Sequence, residues 1–344
     1  MRDMKRWLKG LSGFFLFLLL GLVAVEVMAA EPIKWRCQAA IALASPTYKE
    51  SIVRIADFVK ERTNGRMVIE HHSAGAIVPN NEIFPSVKKG IIELGYATPG
   101  YWKTDIPLSQ LCALPFTFVN YWEVLYFFKK LGFEKMLQEE VAKHDLLYFS
   151  DHVIPVEIVS KKPIRTIDDF KGKKIRTYGN FARYISLLGA SPVSAPGPEI
   201  YTGLATGVFD AAHWGAAVGA ESLALYEVCK YHILPSLSLG TEEGWYVNKK
   251  ALEKLPKDIQ EILKTTLEEQ FWIRSVEYAY NEQVTLSRVQ QKRGVEVITL
   301  PPDSQKKMAE SATKIWDEVA TMGPNNAKGV AILKNFLKDL GRLQ

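Results

Sequence analysis

The chain has 344 residues, 47% of them hydrophobic and 24% charged, with 23 Gly and 17 Pro. That is apolar material for a large core, at a length where chains usually divide into two domains, and it fits poorly with disorder, collagen, a coiled coil or a multi-span membrane protein. The formal charge of +5 is modest, and a dedicated nucleic-acid binder would concentrate its basic residues into a stripe or patch.

The first thirty residues follow the order of a secretory signal peptide. Arg2, Lys5, Arg6 and Lys9 precede an apolar run from Gly13 to Val25, and small residues follow at Ala29 and Ala30. Cleavage is expected after Ala29 or Ala30. The run is short for a membrane span, which needs roughly 20 residues. A soluble, exported protein is therefore expected. Cys37, Cys112 and Cys229 match no zinc spacing; one disulfide is open to them, but buried free thiols are the simpler reading.

In the mature chain, Ile33 to Cys37 reads as a strand and Thr47 to Thr63 as a helix with Ile52, Ile55, Ala56 and Val59 on one face. Asn64-Gly65 stops it, and Met67 to Glu70 is a second strand. A short helix over Glu82 to Lys89 ends at Gly90, before a strand near Leu94 to Ala97. This βαβαβ succession predicts a mostly parallel sheet covered by helices, with right-handed connections.

A second group begins near Leu146. Strands are expected at Leu146 to Ser150, Glu157 to Ser160 and Lys174 to Thr177. A helix from Phe181 to Leu188 leads into Pro192-Val193, and another over Ile200 to Thr206 stops at Gly207. Val208 to Ala212 and Trp245 to Asn248 read as further strands. No proline interrupts residues 258 to 293, so one long helix, or two joined at a kink, runs to Gly294. A strand over Val295 to Leu300 and a final helical region complete the chain. Two α/β domains braced by a long helix form a ligand trap whose hinge closure buries the ligand from both sides. Open α/β sheets gather ligands at the carboxyl ends of their strands.

Catalytic signatures are missing: the sequence has no GxSxG, HExxH, glycine-rich phosphate loop or GxGxxG turn. His71 and His72 are adjacent on a strand, point to opposite faces and make a weak metal pair. No nucleophile comes with its base, which lowers the case for an enzyme without removing a dispersed catalytic site.

The run Lys162-Pro163-Ile164-Arg165-Thr166-Ile167-Asp168-Asp169-Phe170-Lys171-Gly172-Lys173-Lys174-Ile175-Arg176, continued by Leu188-Gly189-Ala190-Ser191-Pro192-Val193 and Glu199-Ile200-Tyr201, resembles a hallmark of solute-binding proteins of tripartite ATP-independent periplasmic (TRAP) transporters, DctP type. Ser73-Ala74-Gly75-Ala76, Gly90-Ile91-Ile92-Glu93-Leu94 and Gly294-Val295-Glu296-Val297 match in order on either side. Pro99-Gly100-Tyr101-Trp102, Ala211 to Trp214 and Lys230 to Pro235 are closest to the branch that binds 2-oxo and hydroxy acids. The resemblance implies a two-domain, class II-like periplasmic-binding-protein fold with an interdomain cleft. Residues 31–154 and 245–284 would form the first domain, and 155–244 and 285–344 the second. It also implies a partner permease driven by an ion gradient, no reaction, and a homodimer through the long helix as a state open to the branch.

Arg176 closes a strand before a turn, and its planar fork matches both oxygens of a carboxylate; family members place an arginine here against the substrate. Trp214 could wall the pocket with apolar area and one N–H donor. His213 is a departure, because the branch typically carries a carboxylate here that helps hold a cation. Imidazole lacks that charge, and sodium or calcium prefers oxygen, so cation assistance is in doubt; His213 could instead donate to the ligand, with a charge responsive to pH near neutrality. Glu242 or Glu243 matches the region that supplies a further carboxylate, to hold a cation, accept from a ligand hydroxyl or pair with His213. Glu157 aligns loosely with a polar cleft position. Tyr101 or Trp102 could close over a ligand tail. The rival readings are a secreted enzyme with a dispersed site and a ligand-sensing receptor without a transport role.

Overall fold

Nine strands make one sheet in a computed structural model that describes residues 31–343; the expected signal peptide and its cleavage point lie outside the described residues. The strands are β1 (Ile33–Ala39), β2 (Met67–His72), β3 (Leu94–Ala97), β4 (Leu146–Ser160), β5 (Lys174–Arg176), β6 (Ser191–Val193), β7 (Ala211–Ala212), β8 (Tyr231–Asn248) and β9 (Glu296–Thr299). Their spatial order is β2-β1-β3-β8-β4-β7-β5-β6, with β9 also on β8.

The expected parallel pairing holds on the flanks, where β1 runs parallel to β3 and β5 parallel to β6 and β7. The centre departs from it. β4 and β8 are long antiparallel partners, from Leu146↔Asn248 to Ser160↔Tyr231, and β8 is antiparallel to β3 as well. At roughly 3.3 Å per residue, the 15 residues of β4 cover about 50 Å, enough to thread both flanks.

The sequence reading splits β4 in two and starts the last strand of the second group only at Trp245. The reason is local. Pro155 and Pro235 lack the N–H a central strand needs, and Asp151, His152, Glu242 and Glu243 interrupt the apolar pattern. The register shifts three times along the pair, as bulges allow. Between Val156↔Ser238 and Ile158↔Ile233 the β8 strand bows outward around the cis Leu234–Pro235 peptide. Val208 to Ala212 shortens to Ala211–Ala212 for want of a longer partner.

The alternatives left open for the last third resolve to one helix, Lys257–Arg293, closed by Gly294 at φ +65°, a left-handed position that glycine takes without strain. Ile259, Leu263, Leu267 and Phe271 bury one face of it, each contributing about 1.5–3 kcal/mol by leaving water. Farther along, the buried face turns polar: Arg274, Tyr278 and Glu282 follow at i, i+4 and i+8, and the helix packs against β4. Cys37, Cys112 and Cys229 are buried free thiols.

Candidate functional site

Arg176 stands at the end of β5, paired with Val193 on β6 and Ala212 on β7. Its side chain is only 4% exposed. Nε donates to the Ala195 carbonyl at 2.9 Å and Nη1 to the His213 carbonyl at 3.0 Å. The guanidinium carbon lies 5.4 Å from the ring centres of both Tyr178 and Trp214, within cation–π range. Among the described residues no carboxylate forms an ion pair with it. Loss of solvent lowers its proton affinity, offset in part by Tyr178 and Tyr101. A buried cation held only by carbonyl dipoles and aromatic faces retains N–H groups suited to an anion.

Trp214 keeps 37% of its surface open, so it walls the site and is not core. Its position is tightly fixed. A Cβ on Gly197 would stand 2.7 Å from the indole, and one on Gly219 would strike the Trp214 carbonyl.

His213 is buried, its Nε2 2.9 Å from the Thr177 hydroxyl. Burial, with a smaller push from Arg176, lowers its pKa to about 3. The expectation of a charge responsive near neutral pH is therefore corrected: the ring is neutral there. Its carbonyl, and not its ring, meets Arg176.

The two adjacent glutamates separate because neighbours on a strand face opposite ways. Glu243, half-buried, accepts from the Tyr96 hydroxyl at 3.0 Å, and its carboxyl is raised by loss of solvent. It lies within electrostatic reach of Tyr101 and Tyr178, and both lie within reach of Arg176. Glu242 is fully buried on the other face, where it accepts from Tyr148 and, at 2.9 Å, from Ser150; burial lifts its pKa to about 7. It belongs to the core.

Tyr101 is half-open on the turn after β3, toward Arg176. Trp102 is corrected to core: its indole N–H donates to the Asn81 carbonyl at 3.1 Å and its rings pack on Phe84 and Tyr246. Glu157 has both oxygens engaged, with His232 Nε2 at 2.6 Å and the Ser236 hydroxyl at 2.6 Å. The structure thus brings Arg176, Trp214, His213, Tyr101 and Glu243 together and sets Trp102, Glu242 and Glu157 apart.

Sequence reasoning missed Tyr178, Thr177 and the buried network behind Glu243. There Asp151 accepts from Ser51 at 2.6 Å, Tyr96 at 3.0 Å and Trp245 at 2.9 Å, beside His152 Nδ1 at 2.8 Å. The signal available was Asp151-His152 inside an otherwise apolar stretch. His71, the weaker metal candidate, instead meets the Tyr48 hydroxyl at 2.9 Å.

Residues 39–322 match the bacterial extracellular solute-binding protein family 7, DctP. The chain belongs to that family. A monocarboxylate 2-oxoacid-binding periplasmic protein of Nostoc sp. is 29% identical over 61% of this chain, and the match spans 59% of that relative's length. A solute-binding protein of Albidiferax ferrireducens is 28% identical over 84% of this chain and 87% of its own. In fold, the chain superposes on a TRAP periplasmic solute-binding protein from Colwellia psychrerythraea, which carries calcium and pyruvate. That match has a TM-score of 0.80 and 23% identity, and covers 90% of this chain and 95% of the other. The DctP-family protein is a solute-binding protein and not an enzyme. Among the described residues no helix is long and apolar enough to cross a membrane.

Proposed function

We propose that this DctP-family protein captures a small 2-oxo or 2-hydroxy monocarboxylate in the periplasm and delivers it to an ion-driven TRAP permease. The observation that carries the reading is Arg176, buried without a carboxylate partner and flanked by Trp214 and Tyr178. The ligand carboxylate takes the free edge of the guanidinium fork. Tyr101 and Trp214 wall the remainder, and the Tyr96-bound Glu243 accepts from a 2-hydroxyl or, its proton affinity raised by burial, donates its proton to a 2-oxo oxygen. The ligands printed for relatives and neighbours, a 2-oxoacid and pyruvate, are of this class. The flanks formed by residues 31–154 with 245–284 and by 155–244 with 285–344 are the two lobes, and β4 and β8, which run through both, carry the hinge.

Several neighbours hold a cation with the acid, calcium in one case and sodium in another. The residues here do not fit that role. His213 is neutral, with Nε2 engaged by Thr177, Glu157 is committed to His232 and Ser236, and Glu242 faces the core. Among the described residues of the site Glu243 alone supplies a free carboxylate, whereas calcium takes six to eight oxygens. Acid binding in this protein is therefore independent of sodium and calcium.

The long helix presents Trp272, Val276, Tyr280 and Val284 to solvent at i, i+4, i+8 and i+12. An apolar ladder of this length on an otherwise charged helix suits a second copy of the chain, and a dimer is the form printed for one structural neighbour.

A thermal-shift screen of the purified mature protein against 2-oxo, 2-hydroxy and dicarboxylic acids, with and without sodium and calcium, tests the reading. An acid at a hundred times its Kd stabilises by about 2.7 kcal/mol. Selective stabilisation by monocarboxylates, equal with chelator present, is expected. Stabilisation only by dicarboxylates, or only with a cation, overturns the corresponding part. Because ligand retained from expression would mask the shift, mass spectrometry of the denatured protein accompanies the screen.

A further inference from the structure

Trp214 is not held by its own strand alone. The segment after it, Ala217–Ser222, is a six-residue helix tied to the long helix at two points. Glu282 Oε2 accepts from the Val218 backbone N–H at 3.1 Å. Arg288 pairs with Glu221, its Nε 3.3 Å from Oε1. Glu282 is only 5% exposed, and its second oxygen has no hydrogen-bond partner among the described residues. A buried carboxyl with one oxygen unpaired is costly, and the fold tolerates it at this place. Nearby, a Cβ on Gly215 would stand 3.7 Å from the Tyr278 hydroxyl, and the Gly215 carbonyl accepts from the Glu157 N–H at 2.9 Å. The turn Trp214–Ala217 therefore sits between β4 and the long helix, and Glu282 is the side chain that joins it to the helix.

We infer that Glu282 is a positioning residue for the ligand site: by holding the Val218 N–H it fixes the turn that keeps the Trp214 indole against Arg176. It touches no ligand. It acts through Trp214, whose ring orients the guanidinium edge toward the incoming carboxylate. The inference rests on the ligand site proposed above and adds to it a residue more than sixty positions away in sequence, on the long helix.

The test measures pyruvate affinity, and that of whichever acid scores highest in the screen, by titration calorimetry on the mature protein. Glu282→Ala removes the acceptor and is expected to weaken binding about tenfold, equivalent to about 1.4 kcal/mol. Glu282→Gln keeps an oxygen for the Val218 N–H and is expected to recover most of that loss. Val319→Ala, a buried truncation in the helix Pro302–Ala320, lowers stability without loosening the turn and is expected to leave affinity unchanged. Acrylamide quenching of the Trp214 contribution, isolated by comparison with Trp214→Phe, should rise in Glu282→Ala. Wild-type affinity in Glu282→Ala overturns the inference, as does an equal loss in Val319→Ala. Should Glu282→Ala fail to fold, Arg288→Ala releases the same segment from its exposed end, and unchanged affinity and quenching there overturn it. If wild type binds no acid while remaining folded, the ligand reading itself fails; Arg176→Ala weakened and Glu282→Ala intact leaves that reading standing and removes only the positioning role.

Discussion

Two arginines are buried among the described residues, and they differ in what surrounds them. Arg274, fully buried on the long helix, has Glu50 2.8 Å and Glu277 3.3 Å from Nη1, and its Nε donates to Ser51 at 3.2 Å. Burial alone would lower its proton affinity, but Asp151 and Glu50 outweigh it and the net shift is upward. Arg176 meets only carbonyl oxygens and aromatic rings, and its shift is downward. The protein supplies counter-ions for one arginine and, among the described residues, none for the other. Burial of a charge is thus no sign of function by itself; the missing partner is.

Removing the ion-paired arginine should do the most damage to stability. Arg274→Ala takes the buried cation from Glu50 and Glu277 and removes a positive charge from the neighbourhood of Asp151; losing hydrogen bonds to charged groups costs about 1.5–3 kcal/mol, so urea unfolding should show a stability loss of that order, and a loss below about 1 kcal/mol would mean that the network carries little. Arg176→Ala should do the reverse. Without ligand its stability should equal or exceed wild type, since a desolvated charge is relieved. Acid affinity should fall by about 2–5 kcal/mol, at least 30-fold. Arg176→Lys retains charge but not the fork, and should recover only part of the affinity. An Arg176→Ala protein that binds as tightly as wild type removes the anchor.

The same two regions titrate in different windows. Around Arg274, burial would raise the Asp151 carboxyl, but His152 and Arg274 bring it down to about 2. Its contribution is present above the unfolded value near 3.8 and is lost as pH falls toward 2. Around Arg176, His213 has its pKa lowered to about 3; the unfolded chain takes up that proton below about 6.5, so stability falls as pH drops from 6.5 toward 3. Glu242 and Glu282 oppose this. Burial raises them to about 7 and about 8, the folded state keeps protons the unfolded state has released, and stability falls as pH rises above about 4.5. His213→Asn deletes one limb of that balance and should move the optimum of the urea midpoint to lower pH. An unchanged optimum would mean that the His213 ring titrates alike in both states.

How much of this was legible in the sequence follows the same physics. Short parallel strands and their helices announce themselves by period and by glycine stops, as at Gly90, Gly207 and Gly294, and the Arg176 motif stood out in its turn. The β4–β8 pair did not, because its function-bearing residues are polar and its bends are made by prolines. Glu242 and Glu243 are indistinguishable as letters, and only the strand register decides that one faces the core and the other Tyr96. Trp102 and Trp214 both follow strand ends near glycines, yet a carbonyl at Asn81 takes the first into the core. Arg274, Tyr278 and Glu282 carried no motif at all. Their meaning lies in what the helix packs against.

The smallest effect should come from the outer side of that helix. Arg274, Tyr278 and Glu282 alternate with Trp272, Val276, Tyr280 and Val284 at an offset of two residues, roughly 200° around the axis. One side holds the polar network and the ligand turn, and the other holds the apolar ladder. Val276 is 62% exposed, so Val276→Glu costs the isolated fold no more than about 0.5 kcal/mol, while a charge in the middle of a self-complementary ladder meets its own copy across a two-fold axis. Sedimentation at micromolar concentration should show the dimer shift to monomer, with acid affinity within about twofold of wild type, inside the usual scatter of a distant surface change. A dimer that survives Val276→Glu moves the interface elsewhere. Acid affinity that falls with the dimer would mean that the helix transmits partner contact to Glu282 and Trp214, and the two sides would then form one coupled unit.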